Sequence, residues 1–319
     1  MRLPWQVRLA VRTHALLAPL VWVAAYLGLF FFIVPALDFR ELWWESAMQL
    51  WGTVLVYALV PGYFLYVFVL QWRRAEEAVV SLRPLVAAPD SLRSEVLTMR
   101  WSWLLPGVLV GAIYGLSQYG GDLAALDASG SLVLDLVLIL GNVVTWSIIG
   151  WVLGWRLPIS LAFFRVGRVV AVDLYDPQAL RPFARVAVLD VLVVMGAVAL
   201  MPLQSLDAEF RLANYVPGLL VGVPAALLLF AVPLWGVHQR IRTVKAARVV
   251  HLQQKIRDCD RDDVARLETL VSHRDRVQAV HTWPLDLRLL FRALFYLVLP
   301  PLAWVAAALV ENLVNRVIG

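Results

Sequence analysis

The chain has 319 residues, of which 61% are hydrophobic and only 16% are charged. Soluble domains carry about 45–50% apolar and roughly 25% charged residues, so this composition excludes an ordinary soluble protein. The net charge of +5 does not indicate nucleic-acid binding, because the basic residues are scattered in short segments beside apolar runs.

Seven apolar runs are long enough to cross a bilayer, for which a helix needs about 20 residues. In chain order they are residues 15–37, 47–70, 102–119, 131–155, 183–203, 216–237 and 289–309. Only closed hydrogen-bonding systems survive in hydrocarbon, so these runs are predicted to be helices. The first is too long for the core of a signal peptide and is predicted to be retained. The predicted fold is an all-α polytopic transmembrane bundle.

The basic residues predict the orientation of this bundle. With a cytoplasmic N-terminus and an external C-terminus, 25 of the 28 Lys and Arg residues lie on the inner side, where membrane proteins concentrate them. Only Arg40, Arg211 and Arg316 lie outside. Arg outnumbers Lys by 26 to 2, which we attribute to a GC-rich bacterial genome. The predicted location is therefore the inner membrane of a bacterium.

Residues 158–174, between the fourth and fifth spans, are mostly apolar but include Arg165 and Arg168. This pattern fits either an amphipathic helix in the membrane interface or a continuation of the fourth span. Asp176 and Pro177 then predict the start of a new helix, because Asp is a preferred N-cap and Pro suits the first helical position.

The largest polar segment, residues 238–283, separates a bundle of residues 1–237 from a last span within residues 284–319. Its apolar residues recur with helical period on both sides of a polar break at residues 258–263. This predicts two antiparallel helices that project into the cytoplasm as a hairpin. His238 and His281 would face each other at its base, where protonation would favour opening. The alternative is that both point into solvent.

Three predicted spans carry glycines four residues apart, which lie on one helix face and let backbones approach closely. The glycines are Gly107, Gly111, Gly115, Gly150, Gly154, Gly218 and Gly222. Packing within the bundle is the first interpretation. A subunit interface through the third span and the lining of a pore are the alternatives.

Few strongly polar residues lie inside the spans, where an ionised group is costly unless it is paired. They are Asp190 in the fifth span, Asp135, Asn142 and Thr145 in the fourth, and Glu311 at the end of the seventh. Asp190 is predicted to be shielded from lipid and paired with Arg185 or another arginine of the inner boundary. A proton or cation site is the alternative.

Nothing in the sequence indicates an enzyme, a cofactor or a metal site. Asp258, Asp260 and Asp262 have the spacing of a calcium loop, but Asp263 and Thr269 stand where that loop needs glycine and glutamate. The single cysteine excludes an internal disulfide. Walker, dinucleotide-binding and hydrolase motifs are missing from the sequence.

Three motifs lie in the C-terminal third: residues 233–240 (PLWGVHQR), residues 283–286 (WPLD) and residues 296–300 (YLVLP). Together they resemble a family of bacterial polytopic membrane proteins without an assigned activity. In that family the second motif tends to read Trp-Pro-Phe-Asp, so Leu285 departs from it. The resemblance implies an inner-membrane protein and supplies no catalytic residues.

Two functions fit these patterns. The first is an oligomeric ion or small-solute channel or transporter with a cytoplasmic hairpin that gates or docks. The second is a sensor or scaffold in the membrane whose hairpin binds a cytoplasmic protein partner. Membrane lipids surround the chain in both cases. A continuous polar tunnel favours transport, and a dry bundle favours the scaffold.

Overall fold

The computed structural model describes residues 16–37, 50–98, 100–118, 132–206, 216–260 and 263–283, together with residues 291, 294–296, 298 and 302. This part of the chain is helical and contains no strand, which confirms the all-α class for the described residues. Most of the seventh predicted span, and Glu311, lie outside them.

Nine α-helices occur in the described residues. In chain order they are α1 (Leu17–Gly28), α2 (Val34–Leu37), α3 (Trp51–Leu82), α4 (Pro89–Val96), α5 (Trp101–Ser117), α6 (Leu132–Val169), α7 (Arg181–Val198), α8 (Val216–Arg257) and α9 (Val264–Ala279). A π-helical turn (Leu29–Ile33) joins α1 to α2, and 3-10 turns lie at Arg83–Leu85, Pro177–Leu180 and Met201–Leu206.

Six helical segments of the described chain are long and apolar enough to cross a membrane, which is compatible with a multi-pass integral membrane protein. They are Leu17–Ala36, Trp51–Leu85, Pro89–Ser117, Leu132–Val169, Gln178–Leu203 and Gly218–Arg257. They correspond to the first six predicted spans. A seventh span and the orientation of the bundle stay predictions.

Three helices are much longer than a bilayer requires. α3, α6 and α8 have 32, 38 and 42 residues. At about 1.5 Å per residue they measure roughly 48–63 Å, against about 30 Å of hydrocarbon. The C-terminal parts of these helices pack with α4 and α9 around one buried apolar cluster that includes Leu82, Leu92, Val166, Leu252 and Val277. We call this region the basic end of the bundle.

The extension of α6 decides between two alternatives left open by the sequence. The helix continues through Pro158 to Val169, so most of residues 158–174 prolong the fourth span and do not form a separate interfacial helix. The chain then turns, and Asp176 caps the next 3-10 turn by accepting a hydrogen bond from the backbone N–H of Gln178 at 3.2 Å. This start agrees with the Asp-Pro pattern.

α5 and α6 pack backbone against backbone. A Cβ atom added to Gly107 would overlap the carbonyl oxygen of Gly150, and one added to Gly111 would overlap that of Trp146. A Cβ on Gly154 would collide with the carbonyl group of Trp103. Glycine alone permits this approach, so the small-residue spacing of both helices is used within the chain.

α8 crosses α6 in a second close contact. A Cβ on Gly236 would overlap the carbonyl oxygen of Phe164, and one on Gly167 would lie 2.8 Å from the backbone nitrogen of Val237. Nearer its N-terminus α8 lies against α7, where a Cβ on Gly222 would lie 2.8 Å from Cγ2 of Val198. This contact with α6 holds α8 in place at the point where the helix continues into the basic end.

α9 packs against the C-terminal half of α8. Lys245 Nζ donates hydrogen bonds to the carbonyl oxygens of Gln278, at 2.6 Å, and Val280, at 2.8 Å. Near the middle of α8, His238 Nδ1 lies 3.2 Å from the carbonyl oxygen of Thr282, and its ring stacks on Trp283 with centroids 4.4 Å apart. These contacts hold the segment after α9 against α8.

Candidate functional site

Asp190 lies in a buried polar contact between α3, α6 and α7. Arg156 Nε donates to Asp190 Oδ1 at 2.6 Å, and Arg156 Nη2 donates to Oδ2 at 2.8 Å. Gln71 Nε2 donates to Oδ1 at 2.9 Å. The exposed fractions are 0% for Asp190 and 1% for Arg156 and Gln71. Each of the three helices therefore contributes one polar side chain to the same contact.

The geometry explains how a carboxylate is tolerated at this depth. Two parallel charge-assisted hydrogen bonds join a planar guanidinium to both carboxylate oxygens, which is the strongest arrangement available to such a pair. The charges cancel, so the contact is neutral as a unit. The structure pairs Asp190 with Arg156, whereas Arg185, a turn from Asp190 on the same helix, is exposed. Asp190 is thus buried among protein atoms.

An aromatic cluster borders the ion pair toward the basic end. The Phe68 ring lies 4.5 Å from the Trp155 ring and 4.7 Å from the Trp151 ring, centroid to centroid, and Trp72 stacks on Trp155 at 5.8 Å. The guanidinium carbon of Arg156 lies 5.7 Å from the centroid of Trp155. Such a cation–π contact adds a modest attraction to the salt bridge.

Two polar atoms of the contact remain without a partner. Arg156 Nη1, a donor, and Gln71 Oε1, an acceptor, are both buried and form no hydrogen bond in the described structure. Buried polar atoms of native proteins almost always have a partner, in the protein or in an ordered molecule. The site therefore presents one donor and one acceptor that the described residues do not use.

These two residues lie at the polar end of an apolar cleft. The cleft is formed by α6, α7 and α8, with Phe64 and Gln71 of α3 also in its lining, and it is open at one side. Its walls are apolar side chains and the two α8 glycines, Gly218 and Gly222. A Cβ on Gly218 would lie 3.4 Å from Sδ of Met201, so larger residues there would narrow the cleft.

The other polar residues predicted for the fourth span lie elsewhere on α6. Asn142 Nδ2 donates to the carbonyl oxygen of Gly115 at 2.8 Å, and Thr145 Oγ1 donates to that of Gly141 at 2.7 Å. Asp135 lies in the first turn of the helix. Asn142 precedes Arg156 by about 21 Å along the helix axis. Asn142 and Thr145 therefore bond to backbone, buried Oδ2 of Asp135 has no hydrogen-bond partner among the described residues, and none of the three is brought together with Asp190.

The predicted histidine contacts are only partly described by the structure. His238 contacts Trp283 and the Thr282 carbonyl group, and His281 is exposed. His273 forms a hydrogen bond with the Tyr175 hydroxyl group, which ties α9 to the turn after α6. The pairing of His238 with His281 stays a prediction.

Gln71 was not among the candidates selected from the sequence, and Arg156 was covered only by the general prediction that Asp190 pairs with Arg185 or another arginine of the inner boundary. Arg156 directly follows the predicted end of the fourth span and precedes Pro158. Its position is therefore typical of any arginine at the inner boundary. One signal in the sequence does mark it. Positions 149, 152, 159 and 163, which share its helix face, are all apolar, and an arginine on an apolar face needs an acidic partner.

Comparison of the chain with protein-family models, with curated proteins and with solved structures gives no match.

Proposed function

We propose that the protein is a sensor or scaffold of a bacterial inner membrane, whose α8–α9 hairpin binds a cytoplasmic protein. The observation that carries this proposal is the continuity of α8. The helix packs against α6 and α7 inside the bundle and runs unbroken to Arg257. A rigid helix shared by the membrane region and a polar projection suits a protein that presents a surface to a partner or reports a change in the membrane.

The hydrogen bonds of the buried polar groups support a sensor or scaffold rather than a transporter. Both carboxylate oxygens of Asp190 are occupied by Arg156 and Gln71. Asn142 and Thr145 are bonded to backbone carbonyl groups. The cleft beside Arg156 has apolar walls. A hydrated ion requires a line of polar groups that replaces its water, and the described part of the bundle does not provide one.

The charge of the hairpin indicates the kind of partner. We place the basic end in the cytoplasm, following the distribution of Lys and Arg. Exposed basic side chains along the hairpin are Arg242, Arg248, Lys255, Arg257, Arg266 and Arg276. An acidic protein surface would complement them and speed association at low salt. The glycines of α5 pack against α6, so a homo-oligomer would have to form through other faces. The homo-oligomer stays a prediction.

Site-specific photo-crosslinking in living cells tests the proposal. A crosslinking amino acid is placed at Val250, which is 61% exposed on the hairpin part of α8, and in a matched control at Leu220, which is 64% exposed near the start of α8. We expect a discrete protein adduct from Val250 only, lost when Arg248 and Lys255 are replaced by Glu. The proposal is overturned if Val250 gives no protein adduct that Leu220 lacks, or if the purified protein conducts ions in liposomes.

A further inference from the structure

The cleft beside Arg156 differs from an ordinary packing defect in its shape. Its walls follow α6 from Trp146 to Arg156 and α8 from Gly218 to Leu229, with Val194 and Val198 of α7 forming part of its floor. Ten residues of helix correspond to about 15 Å. The cleft is therefore an elongated apolar slot, open at one side, with the length of a hydrocarbon chain segment.

At one end of the slot, two buried polar atoms lack hydrogen-bond partners. Arg156 Nη1 can donate and Gln71 Oε1 can accept, and both atoms are buried with no partner in the described structure. Both side chains line the slot. A ligand that satisfies both atoms must carry an acceptor and a donor. Leaving either atom unsatisfied costs about 1–3 kcal/mol.

The charge of the site selects among such head groups. The positive charge of Arg156 is already balanced by Asp190 through two hydrogen bonds. An anionic or cationic head group would add an uncompensated charge at a buried position, which is strongly unfavourable. A hydroxyl group or a protonated carboxyl group meets the demand without adding charge. A hydrocarbon without a head group would leave both atoms unpaired.

We propose that this slot binds one long hydrocarbon chain whose neutral head group, a hydroxyl or a protonated carboxyl, bonds to Arg156 Nη1 and Gln71 Oε1. The chain lies along α7 between α6 and α8, and its far end leaves the slot beside Gly218 and Gly222. Because both positions are glycines, α8 places no side chain across this exit. The proposal goes beyond the docking function and does not depend on any protein partner.

Photolabelling of the purified full-length protein tests the head-group requirement. The probe is a long-chain alcohol that carries a diazirine near its middle. We expect labelled peptides from α6 and α8, and competition by the unlabelled alcohol and by the matching fatty acid. The methyl ester lacks a donor and should compete about tenfold more weakly, whereas the alkane lacks both groups and should compete about a hundredfold more weakly. Equal competition by the alkane overturns the proposal.

A matched pair of variants tests the location. Ala225→Phe places a ring inside the slot, whereas Leu227→Phe places the same ring on an outward position of α8 that is 50% exposed. We expect Ala225→Phe to lose most labelling and Leu227→Phe to keep it. If Ala225→Phe fails to fold, the competition series on the unmodified protein still tests the proposal. The proposal is overturned if a folded Ala225→Phe variant is still labelled. It is also overturned if a cysteine at position 225 cross-links to residues 303–319 with no probe bound, because those residues then occupy the slot.

Discussion

Arg156 and Asp190 lie 34 positions apart in the chain, and two hydrogen bonds of 2.6 and 2.8 Å join their side chains. The contact fixes α6 and α7 relative to each other, and Gln71 joins α3 to the same carboxylate. Three spans are thus locked at one depth by a unit that has no net charge. Removal of one member is expected to harm the fold more than removal of the pair.

The first prediction concerns this asymmetry. Arg156→Met or Asp190→Leu alone should destabilise the bundle by about 3–5 kcal/mol, because the remaining group is buried without its partner. The double variant should recover most of that loss, since two apolar side chains suit the site. Thermal unfolding in detergent measures both effects. Arg185→Gln, an exposed change on the same helix, is the control, and a double variant as unstable as the two single changes summed would contradict the prediction.

The second prediction concerns the backbone contact of α5 with α6. Gly107→Ala or Gly150→Ala should force the helices apart and destabilise the protein by about 1–3 kcal/mol, the usual cost of overpacking. Gly28→Ala is the matched control, because a Cβ at Gly28 meets nothing within 4 Å. The same unfolding assay applies. An equal response of all three variants would argue against a close helix contact.

The third prediction concerns the attachment of α9. Lys245→Met removes two hydrogen bonds to carbonyl groups and should weaken the attachment by about 1 kcal/mol, since the site is only partly buried. Hydrogen exchange should then accelerate at residues 276–283 and stay unchanged in α7. Lys255→Met, in the exposed last turn of α8, is the control. Exchange that rises equally in both variants would exclude the role given to Lys245.

The fourth prediction concerns orientation. Cys259, the only cysteine of the chain, lies just after α8 and is partly exposed. A membrane-impermeant maleimide should label it in inverted vesicles and spare it in intact spheroplasts. In a Cys259→Ser background, Ser117→Cys at the end of α5 should give the opposite pattern. Labelling of both sites from the same side would remove the orientation assigned to the bundle.

The sequence predicted the helical class and the first six spans because length and apolar composition are local properties. It did not predict where α6 ends. A count of about 20 apolar residues stops at Trp155, whereas packing against α3 and α8 keeps the helix intact through Pro158. Asp190 could be selected from its depth alone, since a buried carboxylate needs a partner. The sequence did not say which inner-boundary arginine pairs with it, nor that Gln71 joins them, because the assembly of three helices brings these side chains together.

The crossing of α8 over α6 also has a mechanical consequence. Gly236 contacts the backbone at Phe164, and the helix continues beyond that point for about 20 residues, or roughly 30 Å. A stiff rod held at such a pivot converts a small rotation into a larger displacement at its tip. A tilt of about 5° would move Arg257 by roughly 3 Å over that length. The part of α8 before this pivot, from Val216 to Gly236, has nearly the same length, so the two arms are about equal and a tilt inside the bundle would reach the far tip undiminished.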